Sequence, residues 1–116
     1  MYEYNAMVVS VYDGDTLTAI LDLGFGITIN KAKLRLIGIN TPELRGGPEE
    51  REAAILARDY VRDQILGRQV RIKSKKKGKY GRYLVELWRL DRDGEAERES
   101  LNAALIRLGH AEKYNC

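Results

Sequence analysis

A single cysteine, Cys116, and a single histidine, His110, stand in a chain of 116 residues. One cysteine excludes an internal disulfide, and the two together are too few for a Cys/His zinc site. No apolar run approaches the ~18 residues that a membrane span needs, so no membrane partner is expected. Met1-Tyr2-Glu3-Tyr4-Asn5 lacks the basic and apolar regions of a secretion leader, and a cytoplasmic setting is the expectation. No internal repeat, low-complexity tract or Pro/Gly/Ser linker interrupts the chain. With 44% hydrophobic and 32% charged residues it is neither disordered nor long enough for two cores, so residues 1–116 are expected to form one domain.

What is present is sharply uneven in charge. Between Arg68 and Arg82 there are eight Lys/Arg and no acid, while the rest of the chain carries twelve bases against seventeen acids. A basic segment on an otherwise acidic chain fits a polyanion met at one surface, and equally a solvated hairpin loop.

The hydrophobic pattern gives three strands, a helix, two strands and a helix. Met7–Val11 is apolar and ends at Asp13-Gly14, a strong hairpin signal. Thr16–Leu21 follows, with Gly24 and Gly26 in the next turn. Ile27–Ile39 alternates as one long third strand, in which Gly38 allows a bend. From Pro48 to Leu66 the period becomes helical, with Pro48, Glu49, Glu50 and Glu52 suiting the start and Gly67 the stop. Ala53, Leu56, Ala57, Tyr60, Val61 and Ile65 form its expected apolar stripe. Gln69–Ser74 and Tyr83–Leu90 alternate as strands four and five. Ser100 caps a helix whose core face is Leu101, Ala104, Leu105 and Leu108, and Gly109 ends it. This order predicts an α+β, mainly β, five-stranded OB-fold barrel with a helix between strands 3 and 4 and a C-terminal helix. An open α+β sandwich is the competitor.

Three short blocks can carry chemistry. Asp15, beside Thr16 after a tight turn, suits a hard cation; the plainer reading is a solvated carboxylate next to an Asp-Gly turn. Asn40, Thr41 and Glu43 surround Pro42, which restricts the backbone on both sides. That turn can aim oxygens at one point, with Glu43 in reach of a bound water, or it is a polar loop leading to a helix. Arg35 and Arg82 offer guanidinium forks that match phosphate oxygens and stay charged. Lys79 and Tyr80 beside Arg82 could hold a phosphate or stack on a base. Trp88 and Tyr83 default to packing, His110 to a helix end, and Tyr114 is either a base platform or a tail residue.

With these blocks assembled, the chain resembles the thermonuclease (staphylococcal nuclease-like) family. The likeness runs from about Val8 to Ala111. It rests on Val11-Tyr12-Asp13-Gly14-Asp15-Thr16, Leu34-Arg35-Leu36 through Thr41-Pro42-Glu43, Gly47-Pro48-Glu49, Lys79-Tyr80-Gly81-Arg82, and Asn102-Ala103-Ala104-Leu105 through Gly109. The resemblance implies a Ca²⁺-dependent endonuclease acting on DNA and RNA and leaving 3′-phosphate ends. It further implies that Asp15, Asn40 and the Thr41 carbonyl bind the metal. Glu43 then orients or deprotonates the attacking water, and Arg35 and Arg82 stabilise the phosphorane. Lys79 and Tyr80, with Tyr114 as a further candidate, bind substrate. Nucleic acid is the implied partner, with no obligate protein partner and a monomer expected. The pattern departs from the family at Asn40, where aspartate is usual, and at Gly78, which replaces a frequent acid. A unit charge pair at ~4 Å is worth roughly 4 kcal/mol at an effective dielectric near 20. Lower desolvation offsets much of this, so weakened calcium affinity is the expectation. A nucleic-acid-binding module without turnover is the alternative.

Overall fold

The computed structural model describes residues 3–77 and 81–114. Five strands close into a barrel in the order β1-β2-β3-β6-β5. They are β1 (Glu3–Val11), β2 (Thr16–Gly24), β3 (Ile27–Leu36), β5 (Gln69–Lys77) and β6 (Tyr83–Arg89). All neighbours are antiparallel except β3 and β6, which run parallel through Leu34↔Tyr83, Arg35↔Leu84 and Leu36↔Val85. Closure leaves alternate side chains inside, as the period of a strand requires. Val8, Leu17, Leu34, Leu36, Ile72, Val85 and Leu87 fill the interior, joined by Val61 and Ile65 from α1 (Pro48–Ile65) and Leu101 and Leu105 from α2 (Leu101–Arg107). The expected OB-fold topology is therefore observed.

Several boundaries move, each for a physical reason. β1 begins at Glu3 and not Met7, because Glu3–Met7 pair with Gln69–Lys73 and complete the barrel. The long third strand is broken: β3 stops at Leu36, Gly38 adopts φ +81°, and Ile39–Asn40 resume as β4. β4 pairs with β7 (Glu112–Lys113), a ribbon too short to leave a sequence pattern. Ile27 lies beside the β2–β3 turn and is exposed. On α1, Ala54 replaces part of the expected stripe and Leu56 is 59% exposed. At the end of α2, Leu108 is the C-cap residue and projects outward as the chain reverses at Gly109, φ +81°. Trp88 is half-buried, with the Lys73 Nζ 6.0 Å from its ring centre.

Helix α1 is clamped on the turn between β1 and β2. Arg62 donates to the Val11 carbonyl from Nε and Nη2, at 3.3 and 3.0 Å. A Cβ on Gly14 would lie 3.1 Å from that of Ala57 and 2.7 Å from Thr41 Cγ2. Glycine is needed here for space. Asn102 of α2 is a second clamp: it donates to the Ile37 and Val85 carbonyls and accepts from the Leu87 N–H, at 2.9, 3.2 and 3.0 Å.

Candidate active site

The β2–β3 register puts Thr16 opposite Arg35, and the β3–β6 register puts Leu84 on the other side of Arg35. Arg35 therefore rises from the middle of three strands, one residue from the Asp15 turn. The Leu36 N–H donates to the Asp15 carbonyl at 2.9 Å and holds that turn to β3. β4 ends at Asn40, since the next N–H, that of Thr41, turns to Asp15 Oδ2, and Pro42 after it offers no N–H to resume the pairing.

Asp15 is buried and its carboxylate is fully engaged. Oδ1 accepts from the Thr16 hydroxyl at 3.2 Å, and Oδ2 accepts from the Thr41 N–H at 3.1 Å. Arg35 Nη1 lies 3.3 Å from Oδ2 and also donates to the Leu36 carbonyl at 2.7 Å. Arg35 Nη2 donates to Asn40 Oδ1 at 2.5 Å. One guanidinium thus spans the side-chain oxygens of Asp15 and Asn40. Such a charged, hydrogen-bonded arrangement offsets the cost of burying a carboxylate.

Asp13 accepts from the Asp15 N–H at 3.1 Å. Burial, reinforced by a hydrogen bond to and the charge of the Asp15 carboxylate, pushes its carboxyl up to about 6. Desolvation and a like charge both disfavour the ionised form.

Glu43 is exposed, on the loop between β4 and α1. Its N–H donates to Glu50 Oε2 at 3.0 Å, and its carbonyl accepts from the Gly46 N–H at 3.1 Å. Arg82 lies at the entry to β6, immediately after Gly81 with φ +73°. Asp15, Arg35, Asn40, Thr41, Glu43 and Arg82 all line one open cleft of about 750 Å³. Six of the nine site residues named from the sequence therefore meet. Lys79 and Tyr80 lie outside the described residues. Tyr114 is exposed, and its N–H donates to the Gly38 carbonyl at 2.9 Å, but it does not line the cleft.

Tyr12, Arg45 and Glu50, not named from the sequence as site residues, line the same cleft, as does His110, which was expected only at a helix end. Glu50 could have been found: a glutamate at the third position of a helix commonly reaches back to an N–H before it. His110 stacks on Tyr60 of α1 at 5.1 Å between ring centres, a contact with no local sequence signal.

Among the described residues there is no group of three or more His, Cys, Asp and Glu that could hold a metal. The available donors are instead one carboxylate (Asp15), one amide oxygen (Asn40) and Thr41, with Glu43 nearby. Thr41 Oγ1 is buried and has no hydrogen-bond partner among the described residues, as a side chain waiting for a ligand would. An all-oxygen set of this kind fits a hard cation, with a smaller negative charge than two carboxylates would supply.

A closed five-stranded barrel with a helix before β5, a second after β6, and a polar cleft across β2, β3 and β6 is an SNase-like OB-fold of nuclease type. The chain belongs to the family described as Staphylococcal nuclease homologue, whose model matches residues 33–116. Arg35, Asn40, Thr41, Glu43 and Arg82 fall inside that match. Asp15 precedes it and joins the others through the β2–β3 register. A search of curated proteins finds no match. The family is generally calcium-dependent.

Proposed function

We propose that this protein is a calcium-dependent nuclease that hydrolyses phosphodiester bonds of DNA and RNA by attack of water. The observation that carries this reading is the Arg35 guanidinium bonded at once to Asp15 and Asn40, in a cleft it shares with Glu43 and Arg82.

Asp15, Asn40 and Thr41 are the residues that would hold the calcium ion. When bound, the ion would supply Lewis-acid polarisation of the scissile phosphate. Arg35 and Arg82 bind phosphate oxygens and stabilise the additional negative charge that develops on them during attack. To do so, Arg35 exchanges its Asp15 and Asn40 contacts for the incoming phosphate. Glu43, exposed at the cleft, orients a water and takes its proton. Its backbone is anchored by Glu50, so the loop carrying the carboxylate has a fixed root. Lys79 and Tyr80 shortly precede Arg82 in the chain and supply further substrate contacts.

Asn40 favours a second reading, a domain that binds nucleic acid without cutting it, because the amide withholds one negative charge from the cation. Digestion of plasmid and denatured DNA with Ca²⁺ or EDTA separates the two. The nuclease reading expects calcium-dependent cleavage that drops about 10²–10⁴-fold in Glu43→Gln. Equal cleavage by wild type and Glu43→Gln would overturn the assignment of the base. No cleavage at millimolar calcium, with single-strand affinity that falls steeply in salt, would establish the binding module. Asn40→Asp is expected to tighten calcium binding in calorimetry; an unchanged titration would remove Asn40 from the ligand set.

A further inference from the structure

Tyr12 lines the cleft, is 61% exposed, and has no part in the chemistry assigned to Arg35, Glu43 and Arg82. A single exposed ring is ordinary on a protein surface. Its root is not. The Tyr12 N–H donates to the Thr16 carbonyl at 3.0 Å, and the Asp13 N–H donates to the same oxygen at 3.3 Å. From the other side, Arg62 of α1 holds the Val11 carbonyl from Nε and Nη2. The backbone under the exposed ring is thus fixed by β2 and by a helix.

Alternation along the strands puts that ring on the same face as the arginines. Val11, Leu17, Leu34, Leu36 and Val85 belong to the interior of the barrel. Their neighbours Tyr12, Thr16, Arg35 and Leu84 therefore stand on its outer face, and Arg82, two residues before Leu84, stands there too. Across this face Tyr12 bonds to Thr16, Thr16 lies opposite Arg35, and Arg35 lies opposite Leu84. Arg35 is in the middle. Tyr12 is about two strand spacings, ~10 Å, from it on the β1 side, and Arg82 is on the adjoining strand on the β6 side. A phosphate held by Arg35 and Arg82 would bring its attached sugar and base within reach of the Tyr12 ring.

We propose that Tyr12 is the platform on which one nucleobase of a single-stranded substrate stacks, on the side of the bound phosphate away from Arg82. The inference rests on the nuclease reading only in taking Arg35 and Arg82 as phosphate ligands. Stacking on an aromatic ring suits any base, because every base has a π-face. The charges nearest the ring, the Asp13 carboxylate and the Arg62 guanidinium clamped on Val11, offset each other. This end of the cleft therefore suits a neutral base better than a second phosphate. Bases of a duplex are already stacked and paired, and freeing one costs energy, so the platform serves single strands. One ring also falls far short of the roughly 1,200 Å² that a stable protein interface buries.

Fluorescence anisotropy of a labelled single strand of mixed sequence, and of the same strand annealed to its complement, tests this at millimolar calcium. Tyr12→Ala is expected to weaken single-strand binding about tenfold and to change duplex binding less than about twofold. Tyr12→Phe, which keeps the ring, should bind like wild type, and Tyr12→Trp as tightly or more so. All three should keep the wild-type urea midpoint, since the ring is exposed. In digestion of denatured DNA the loss in Tyr12→Ala should appear as a raised KM. Tyr12→Ala that binds the single strand like wild type overturns the proposal, as do equal losses on single strand and duplex. Tyr12→Phe that loses as much as Tyr12→Ala also overturns it, by making the hydroxyl the contact, and so does wild type that binds neither form. The nuclease reading fails separately. Wild type that holds single strands through Tyr12 and cuts nothing supports the platform and removes the nuclease. Wild type that cuts with calcium, while Tyr12→Ala changes neither affinity nor KM, does the reverse.

Discussion

The two turns at the ends of β2 both depend on glycine, one for space and one for backbone geometry. At the β1–β2 turn Gly14 is buried where a Cβ would meet Thr41 and Ala57, and the neighbouring Asp15 carboxylate is held by Thr16, Thr41 and Arg35. At the β2–β3 turn a Cβ on Gly24 or Gly26 would meet nothing within 4 Å, but the two glycines hold φ of +83° and +74°. The first turn is packed between a helix and the site, and its Asp13 carboxylate is fixed by the Asp15 N–H. The second projects into solvent and carries the exposed apolar side chains of Phe25 and Ile27. One strand thus joins a pre-organised polar cleft to a hairpin whose shape is set locally. Precision at the first comes from tertiary contacts, and exposure at the second from their lack.

Substitutions can break this contrast at either end. The largest effect is expected in the cleft: Arg35→Gln removes the charge that spans Asp15 and Asn40, and DNA cleavage should fall about 10²–10³-fold, comparable to losing one oxyanion donor. Gly14→Ala should cost about 1–3 kcal/mol of stability by overpacking against Thr41 and Ala57, read as a lower urea midpoint, and should also slow cleavage. Gly24→Ala at the open turn should cost about 1–2 kcal/mol through backbone strain alone and leave cleavage unchanged. If both alanines slow cleavage equally, the two turns are not independent. Glu50→Ala, which frees the Glu43 backbone, should lower kcat several-fold, an energy of about 1 kcal/mol. It should change the melting temperature little, because the contact is exposed. The smallest effect is Phe25→Asn, which takes a bulky residue out of backbone at φ +55° and should gain at most about 1 kcal/mol in chemical denaturation, with cleavage untouched.

Local chemistry was read reliably where it acts locally. Ser100 caps α2 as expected, accepting from the Ala103 N–H at 3.1 Å, and Pro48 begins α1. Gly38 bends the chain where alternation alone suggested an unbroken strand. The failures lie where packing decides. Leu56 matches a helical stripe as well as Ala54 does, but the barrel accepts the smaller residue and leaves the larger outside. Asn102 was legible only as part of a family-like block, although its side chain ties α2 to both Ile37 and β6. The β4–β7 pairing is two residues long, too short for any periodicity to announce.

The site divides along the same line. Its residue types were visible in three short blocks: a carboxylate after a tight turn, an oxygen-bearing turn around Pro42, and arginines suited to phosphate. Those follow from side-chain chemistry and turn geometry, which are properties of neighbouring residues. That Thr41 donates its N–H to Asp15, 26 positions earlier, and that Arg35 bridges Asp15 to Asn40, was decided by the barrel. Only the register of β2 on β3 and of β3 on β6 brings these blocks within hydrogen-bond distance, because register is set by the whole closed sheet. For the same reason the sequence showed Tyr12 only as a neighbour of the Asp13-Gly14 turn, while its place on one face with Arg35 and Arg82 appeared only when β2, β3 and β6 were paired.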